Sequence, residues 1–292
     1  MGMRQRYQSD RVLTFRDPHI RLARYCRTFD AMPPATPAIQ IYTRFQSART
    51  GSKMLAVLID PDDVKPNALD HLVGLSVHAG VDVFFIGGSL IVNNQLDACL
   101  AAIKSRCDIP LVLFPGDSYQ LSYKADGILF LSLISGRNPE LLIGKHVISA
   151  PYLKMSPLEV IPTGYMLVDG GVPTTVSYIS NTNPIPADKH DIAACTALAG
   201  EMLGLKCMFM DAGSGARWPV PDEMIQAVRS AVDVPLIIGG GIRTPEDAQR
   251  KVHAGADIIV VGNAFEEDPA LVVAMAQAVH EAGTLQPIKP NP

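Results

Sequence analysis

Eight short runs of branched and aromatic apolar residues recur along this chain, and most of the segments between them have helical period. The runs are MLAVLI (Met54–Ile59), VDVFFI (Val81–Ile86), PLVLF (Pro110–Phe114), GILFLSL (Gly127–Leu133), YMLV (Tyr165–Val168), CMFM (Cys207–Met210), PLIIG (Pro235–Gly239) and DIIVVG (Asp257–Gly262). They are apolar on successive residues instead of alternating, the pattern of parallel strands covered on both faces. Amphipathic stretches such as NALDHLVGLSVHAG, DKHDIAACTALAGEMLGL and PDEMIQAVRSAV separate them. In RTPEDA, Thr244 reads as a helix cap, Pro245 as the first turn, and Glu246 with Asp247 as charges favoured at the positive end of the dipole. Eight strands alternating with helices predict an α/β fold, a (β/α)8 TIM barrel. A doubly wound open sheet fits the alternation but uses fewer strands. The segment after the third run, PGDSYQLSYKAD, is too short and polar for a full helix, so the third βα unit is expected to be irregular.

The barrel is expected over residues 39–283. Ahead of it, the arginine-rich stretch Met1–Arg27 and the linker AMPPATPA make 1–38 a disordered or misassigned extension, with an organelle address or membrane-surface segment as the alternative. Residues 284–292 read as a tail. At 292 residues and 48% hydrophobic, the chain carries enough apolar material for one large domain. No run approaches the roughly 18 apolar residues of a membrane span. A net charge of -4 with intermixed signs argues against nucleic acid, which demands a basic face. The cysteines, Cys26, Cys99, Cys107, Cys195 and Cys207, are scattered without metal or redox spacing. They read as free thiols of a reducing, cytoplasmic compartment.

Two glycine clusters sit directly after the last two strands: GGGIR follows the seventh and GNAF the eighth. Glycine lets backbone amides approach an anion closely, and barrels frequently bind phosphate at these two turns. The bland alternative is a pair of tight barrel turns. After the sixth strand, FMDAGSGARWPV offers a small, flexible loop, with Asp211 where barrel catalytic groups sit. The first strand ends in VLIDPDD, whose Asp60, Asp62 and Asp63 suit a hard cation such as Mg2+, although Asp-Pro-Asp is also an ordinary turn. Ser89, in FFIGGS, is a second candidate anchor.

Taken with FLSLISGRNPELLIG, PTGYMLVDGG, SYISNTNPIP and TALAGEMLGLK, these motifs resemble the geranylgeranylglyceryl phosphate synthase family, whose other main branch is heptaprenylglyceryl phosphate synthase. The likeness runs from about Ile39 to the last helix and is greatest to the longer, second group. It implies Mg2+-dependent transfer of a prenyl chain from its diphosphate to the C3 hydroxyl of sn-glycerol 1-phosphate, in a homo-oligomer (dimer or hexamer) loosely associated with a membrane surface.

Residue by residue, Asp60 and Ser89 match the family's metal positions. Phe209, Met210, Asp211, Ala212, Gly213, Ser214 and Gly215 match its glycerol-phosphate strand and loop. Gly240 with Gly241, and Gly262 with Asn263, match its phosphate-holding turns. Where the family typically has Tyr-Leu-Glu, this chain has Phe209-Met210-Asp211, losing a hydroxyl and shortening the carboxylate arm of the expected base. Arg243 is a candidate for added charge near the phosphate.

For the tail, GYMLVDGG and LFLSLISGRNP are candidate walls, with Tyr165, Tyr178 and Trp218 as individual candidates. His78, His146, His190 and His253 lack partners at metal spacing and read as structural or solvated. Two rival readings share the glycine turns: a barrel isomerase or lyase acting on a sugar phosphate, and a non-catalytic barrel binding phosphate or a prenyl lipid.

Overall fold

A computed structural model describes residues 40–63, 65–93 and 95–284. The arginine-rich extension, the linker and, past Thr284, the tail read from the sequence lie outside the described residues. Eight strands close into a single parallel barrel in chain order: β1 (Met54–Ile59), β2 (Val83–Ile86), β3 (Leu111–Leu113), β4 (Gly127–Leu133), β5 (Glu159–Leu167), β6 (Cys207–Asp211), β7 (Leu236–Gly239) and β8 (Ile258–Val261). Closure is made by β1 against β8, with Met54 opposite Ile258. The helices that cover it are α1 (Ile41–Thr50), α2 (Pro66–Ala79), α3 (Leu96–Lys104), α4 (Lys145–Lys154, entered through one π turn), α5 (Thr175–Ser180), α6 (His190–Met202), α7 (Asp222–Ala231), α8 (Pro245–Ala254), α9 (Asn263–Glu267) and α10 (Leu271–Thr284).

Alternation sorts each strand's side chains into two cores. Met54, Ala56, Phe85, Leu129, Tyr165, Phe209 and Ile237 fill the barrel interior, whereas Leu55, Val57, Phe84, Ile128, Met208 and Met210 pack against the helices. The interior is strongly aromatic. Phe114 stacks on Phe209 with centroids 5.1 Å apart, and Tyr165 meets Phe209 edge-on at 5.5 Å. Below them Phe45 of α1 plugs the floor against Phe85. The Glu159 carboxylate holds that plug in place by accepting the amides of Ile41 and Tyr42, two of the donors a helix start leaves unpaired.

The sequence pattern and the fold differ in one strand. β5 begins at Glu159 instead of Tyr165, because Pro162, Thr163 and Gly164 interrupt the apolar run without interrupting the pairing to β4. The third βα unit is irregular as expected: residues 114–126 form turns and no helix. Gln120 ties that segment down, accepting the Gly116 amide and donating to the Gly88 carbonyl. Thr244 caps α8 by accepting the Asp247 amide at 3.1 Å.

Candidate active site

Every strand's C-terminal end opens into one cavity of about 630 Å³ at the mouth of the barrel. Asp60, Ser89, Phe209, Asp211, Ser214, Gly215, Gly240, Gly241, Gly262 and Asn263 all line it. Asp211 is the last residue of β6 and in register with Leu167 and Gly239, so the alternation that points Phe209 inward points Asp211 inward too. It is only 8% exposed. Its Oδ2 accepts the Tyr165 hydroxyl at 2.6 Å, and its Oδ1 accepts the Gly213 amide at 2.7 Å. Burial raises the Asp211 carboxyl above its ordinary value, against the lowering effect of those two bonds. Burial, and then the adjacent carboxylate, hold Tyr165 well above the usual phenol range, so it stays protonated and donates.

Three loops make one wall. Gly240 has φ +78, and a Cβ there would lie 2.5 Å from Asp211 Oδ1 and 2.6 Å from the Gly213 nitrogen. A Cβ at Gly241, with φ +71, would lie 2.9 Å from the Pro219 nitrogen and 3.0 Å from the Trp218 carbonyl. Both glycines are therefore required by the close approach of the β6 and β7 loops, whatever binds there. Gly215 and Gly262 differ. Nothing lies within 4 Å of a Cβ at Gly215, where the φ of +76 alone favours glycine, and a Cβ at Gly262 would only touch Leu58 at 3.4–3.6 Å. The wall is completed where the Ser214 hydroxyl donates to the Asn263 side chain at 3.1 Å.

Next to this wall, across the β8–β1 seam, stands Asp60. A Cβ on Gly88 would lie 2.1 Å from its carboxylate, so the absence of a side chain there makes room for the acid. Burial raises its carboxyl first, and the charges of Asp63 and Asp62 add to this, while the Asp62 amide on Oδ1 opposes them. Glu266, also on the cavity, is raised by burial and then by Asp63 and Asp60. Asp62 itself is committed elsewhere: its carboxylate accepts the amides of Val92 and Asn93. Among the described residues no three His, Cys, Asp or Glu side chains group into a protein-only metal cage.

Several expectations need correction. Met210 and Ala212 pack into the helix-facing core and do not line the cavity, since they alternate with the inward Phe209 and Asp211. Gly213 does not line it either; its amide holds Asp211. Tyr178 and Trp218 are 85% and 64% exposed and lie off the cavity. Of GYMLVDGG only Tyr165 reaches it, whereas Leu129, Phe130, Leu131 and Leu133 of β4 all do. Arg243 lines the rim, with its guanidinium donating to the Ala216 and Arg217 carbonyls.

Two residues were missed as site residues. Tyr165 read as a tail-wall candidate, and only the β5–β6 register reveals its hydroxyl on Asp211. His146 read as structural, yet it lines the cavity from α4, only 8% exposed. Its Nε2 pairs with Ser132 Oγ at 3.0 Å, its ring stands edge-on to Phe130, and its Nδ1 is buried without a hydrogen-bond partner. Burial pushes its pKa below the ordinary imidazole value; the Leu131 carbonyl opposes this but completes no hydrogen bond to Nδ1.

Similarity to known proteins matches this geometry. Geranylgeranylglyceryl phosphate synthase of Chitinophaga pinensis is 59% identical over 244 residues, 83% of this chain and 97% of that protein. The enzyme of the same name from Thermococcus gammatolerans is 45% identical over 216 residues, covering 74% of this chain and 85% of the relative. The crystal structure of (S)-3-O-geranylgeranylglyceryl phosphate synthase from Thermoplasma acidophilum, in complex with its substrate sn-glycerol-1-phosphate, superposes with a TM-score of 0.79 at 32% identity, covering 83% of this chain and 99% of that one. The family model described as PcrB matches residues 49–283, and on that match, with relatives aligned over nearly their whole length, the chain belongs to the PcrB family.

Proposed function

We propose that this protein is a prenyltransferase that moves a geranylgeranyl or other long prenyl chain from its diphosphate to the C3 hydroxyl of sn-glycerol 1-phosphate, forming an ether-lipid precursor with Mg2+ as cofactor. The observation that carries this reading is that one cavity joins a loop wall, an acidic patch around Asp60 and an apolar lobe, and Asp211 lines it as well. A sugar-phosphate isomerase has no use for the lobe along β4. The names of the relatives and the glycerol phosphate bound to the Thermoplasma acidophilum enzyme supply the substrate class.

Asp60 fits a magnesium site on the chemistry of its surroundings. It faces the cavity, burial and then the charges of Asp63 and Asp62 push its carboxyl up, and Glu266 is raised by burial and then by Asp63 and Asp60. A dication relieves that repulsion. Magnesium held by one or two carboxylates plus substrate phosphates needs no full protein cage. When bound it neutralises charge on the departing diphosphate.

The loop wall of Gly215, Gly240, Gly262 and Asn263 seats the phosphate of the acceptor and fixes where its hydroxyl lies. Ser214 holds that wall together through Asn263. As the allylic carbon–oxygen bond to diphosphate breaks and the ether bond forms, the hydroxyl proton passes to Asp211. Its raised pKa suits a general base, and Tyr165 and Gly213 fix the orientation of its two oxygens. Phe209, stacked beneath on Phe114, keeps water out of the space under the reacting atoms.

The test is incubation with Mg2+, labelled glycerol 1-phosphate and prenyl diphosphates of several lengths. Label in the organic phase is the expected result; binding without product selects a carrier, and no binding at all removes the proposal. Replacing Asp211 with Asn should lower turnover by about 10²–10⁴-fold, the usual weight of a general base. Unchanged turnover at saturating substrate takes Asp211 out of the mechanism.

A further inference from the structure

β2 and β3 pair as far as Ile86 and Leu113, and the ladder then ends with the Phe114 amide on the Ile86 carbonyl at 2.9 Å. In a parallel ladder the next bond of that series would run from the Gly116 amide to the Gly88 carbonyl, each two residues further on. Here the side-chain amide of Gln120 stands in for it. Its Oε1 accepts the Gly116 amide at 3.0 Å, and its Nε2 donates to the Gly88 carbonyl at 3.0 Å. Both backbone groups are satisfied, and the two turns are clamped together from behind.

What the clamp holds is the end of the cavity where Asp60 stands. A Cβ on Gly116 would lie 2.5 Å from the Gly88 carbonyl oxygen and 2.8 Å from that of Ser89. One on Gly88 would lie 2.1 Å from Asp60 Oδ2. The β3 turn therefore rests directly on the β2 turn, and the β2 turn on Asp60. Asp60, Gly88, Ser89 and Gly116 all line the cavity, whereas Gln120 is only 7% exposed and lies off it. The contacts are made by glycines, the residues least able to hold their own backbone in one conformation. Asp60 has its Oδ1 fixed by the Asp62 amide at 2.9 Å; the turn that faces its Oδ2 is fixed by Gln120.

Resting on the prenyltransferase reading, which puts magnesium and the donor diphosphate at Asp60, we propose that Gln120 is a positioning residue for the donor half of the site. It touches neither substrate. By fixing the Gly88–Ser89 turn against Asp60, it keeps Ser89 and the carboxylate as one prearranged surface for the metal diphosphate, so binding does not have to order two glycine turns. The acceptor wall of Gly215, Gly240, Gly262 and Asn263 comes from the turns after β6, β7 and β8, beyond the two turns that Gln120 joins. Loss of Gln120 should therefore weaken the donor side alone.

Titration calorimetry on the full chain compares the wild type, Gln120→Met and Gln120→Glu, with Mg2+ plus inorganic diphosphate and, separately, with sn-glycerol 1-phosphate. Methionine fills the space and makes neither bond; ionised glutamate accepts the Gly116 amide but cannot donate to the Gly88 carbonyl. Both variants should bind magnesium diphosphate about 10–100-fold more weakly, the usual weight of an outer partner of a metal site, and glycerol 1-phosphate within about twofold of the wild type. In turnover, KM for the prenyl diphosphate should rise while KM for glycerol 1-phosphate holds. If the wild type makes product but binds inorganic diphosphate too weakly to titrate, the two KM values decide by the same rule. A folded variant that binds magnesium diphosphate as tightly as the wild type overturns the proposal. So does equal weakening of both ligands, which is what a merely structural role predicts. Two variants that both fail to fold assign Gln120 to the scaffold and overturn it as well. In each of these cases the wild type still makes product and the prenyltransferase reading stands; a wild type that neither binds magnesium diphosphate nor makes product takes down both.

Discussion

Two buried aspartates, Asp257 at the floor of the barrel and Asp211 at its mouth, are treated in opposite ways. Asp257 leads into β8 and is fully paired: Oδ1 accepts Lys53 Nζ at 2.8 Å, while Oδ2 accepts Arg229 at 2.9 Å and the Leu236 amide at 2.9 Å. Lys53 in turn donates to the Ala48 carbonyl of α1, so the floor plug, β1, β7, β8 and α7 are joined at one point. Asp211 has no cation beside it, only a phenol and an amide, and burial raises its carboxyl. Asp60 and Glu266 at the same mouth are raised as well. The floor uses its charges on itself, whereas Asp60, Asp211 and Glu266 at the mouth form no ion pair among the described residues, although Lys145 and Asp117 on the same cavity pair with each other. That division is the one expected of barrels, where the N-terminal face carries stability and the C-terminal face carries chemistry.

The contrast is broken most severely at the floor. Asp257→Ala leaves Lys53 and Arg229 buried without their carboxylate, and breaking a buried ion pair from one side costs about 3–5 kcal/mol. Urea unfolding should show a lower midpoint with little change in slope, the midpoint shift multiplied by the slope giving that loss. A variant within about 1 kcal/mol of the wild type means the floor cluster is solvated and the two ends are not as different as drawn.

At the mouth, Tyr165→Phe sharpens the comparison because it removes one hydroxyl and preserves the ring. The aromatic contacts with Phe114 and Phe209 survive, so stability should change little. The hydrogen bond lost is one that lowers the Asp211 pKa, so the carboxyl rises further. Turnover should drop roughly tenfold, the scale of one hydrogen bond to a charged group, and the acid limb of the pH–rate profile should move to higher pH. A lower rate with an unmoved acid limb assigns Tyr165 to packing alone.

How legible was this in the sequence? The barrel was, because eight successive apolar runs carry both the strand count and the burial of both faces, and Thr244-Pro245 marks a helix start without help from the rest of the chain. β5 was legible only in part: Pro162 and Gly164 hide its first half from an apolar count, and only pairing to β4 restores it. At the site, Asp60, Asp211 and the glycine turns stand out because each ends a strand. Tyr165 could have been signalled by the missing Phe209 hydroxyl, which asks for a donor from a neighbouring strand, but which strand faces Asp211 is a matter of register. His146 gave no signal. Its environment is made by a lobe between β4 and α4, and no local pattern in the chain encodes a cavity. Met210 and Ala212 were included because a motif is contiguous in sequence, whereas a strand shows only alternate residues to a ligand.

The smallest effect is also the most diagnostic of the mouth. Burial and like charges hold the folded-state Asp60 carboxyl above its unfolded value, so its contribution to stability is present below the unfolded pKa of about 3.9 and is lost as pH rises through the folded pKa. Ionised Asp60 is therefore a liability at neutral pH. Asp60→Asn keeps an oxygen for the Asp62 amide and drops the charge, so in EDTA the variant should be more stable than the wild type at pH 7, by no more than about 1 kcal/mol after solvent screening. The advantage should shrink as both are acidified through the raised Asp60 pKa, where the wild-type carboxyl takes up its proton, and Mg2+ should stabilise the wild type alone. Stability gained by deleting an acid that a site needs is the familiar trade at functional positions. An Asp60→Asn chain less stable than the wild type at pH 7 in EDTA, or one whose difference ignores pH, places Asp60 with Asp257 among the acids the fold itself requires.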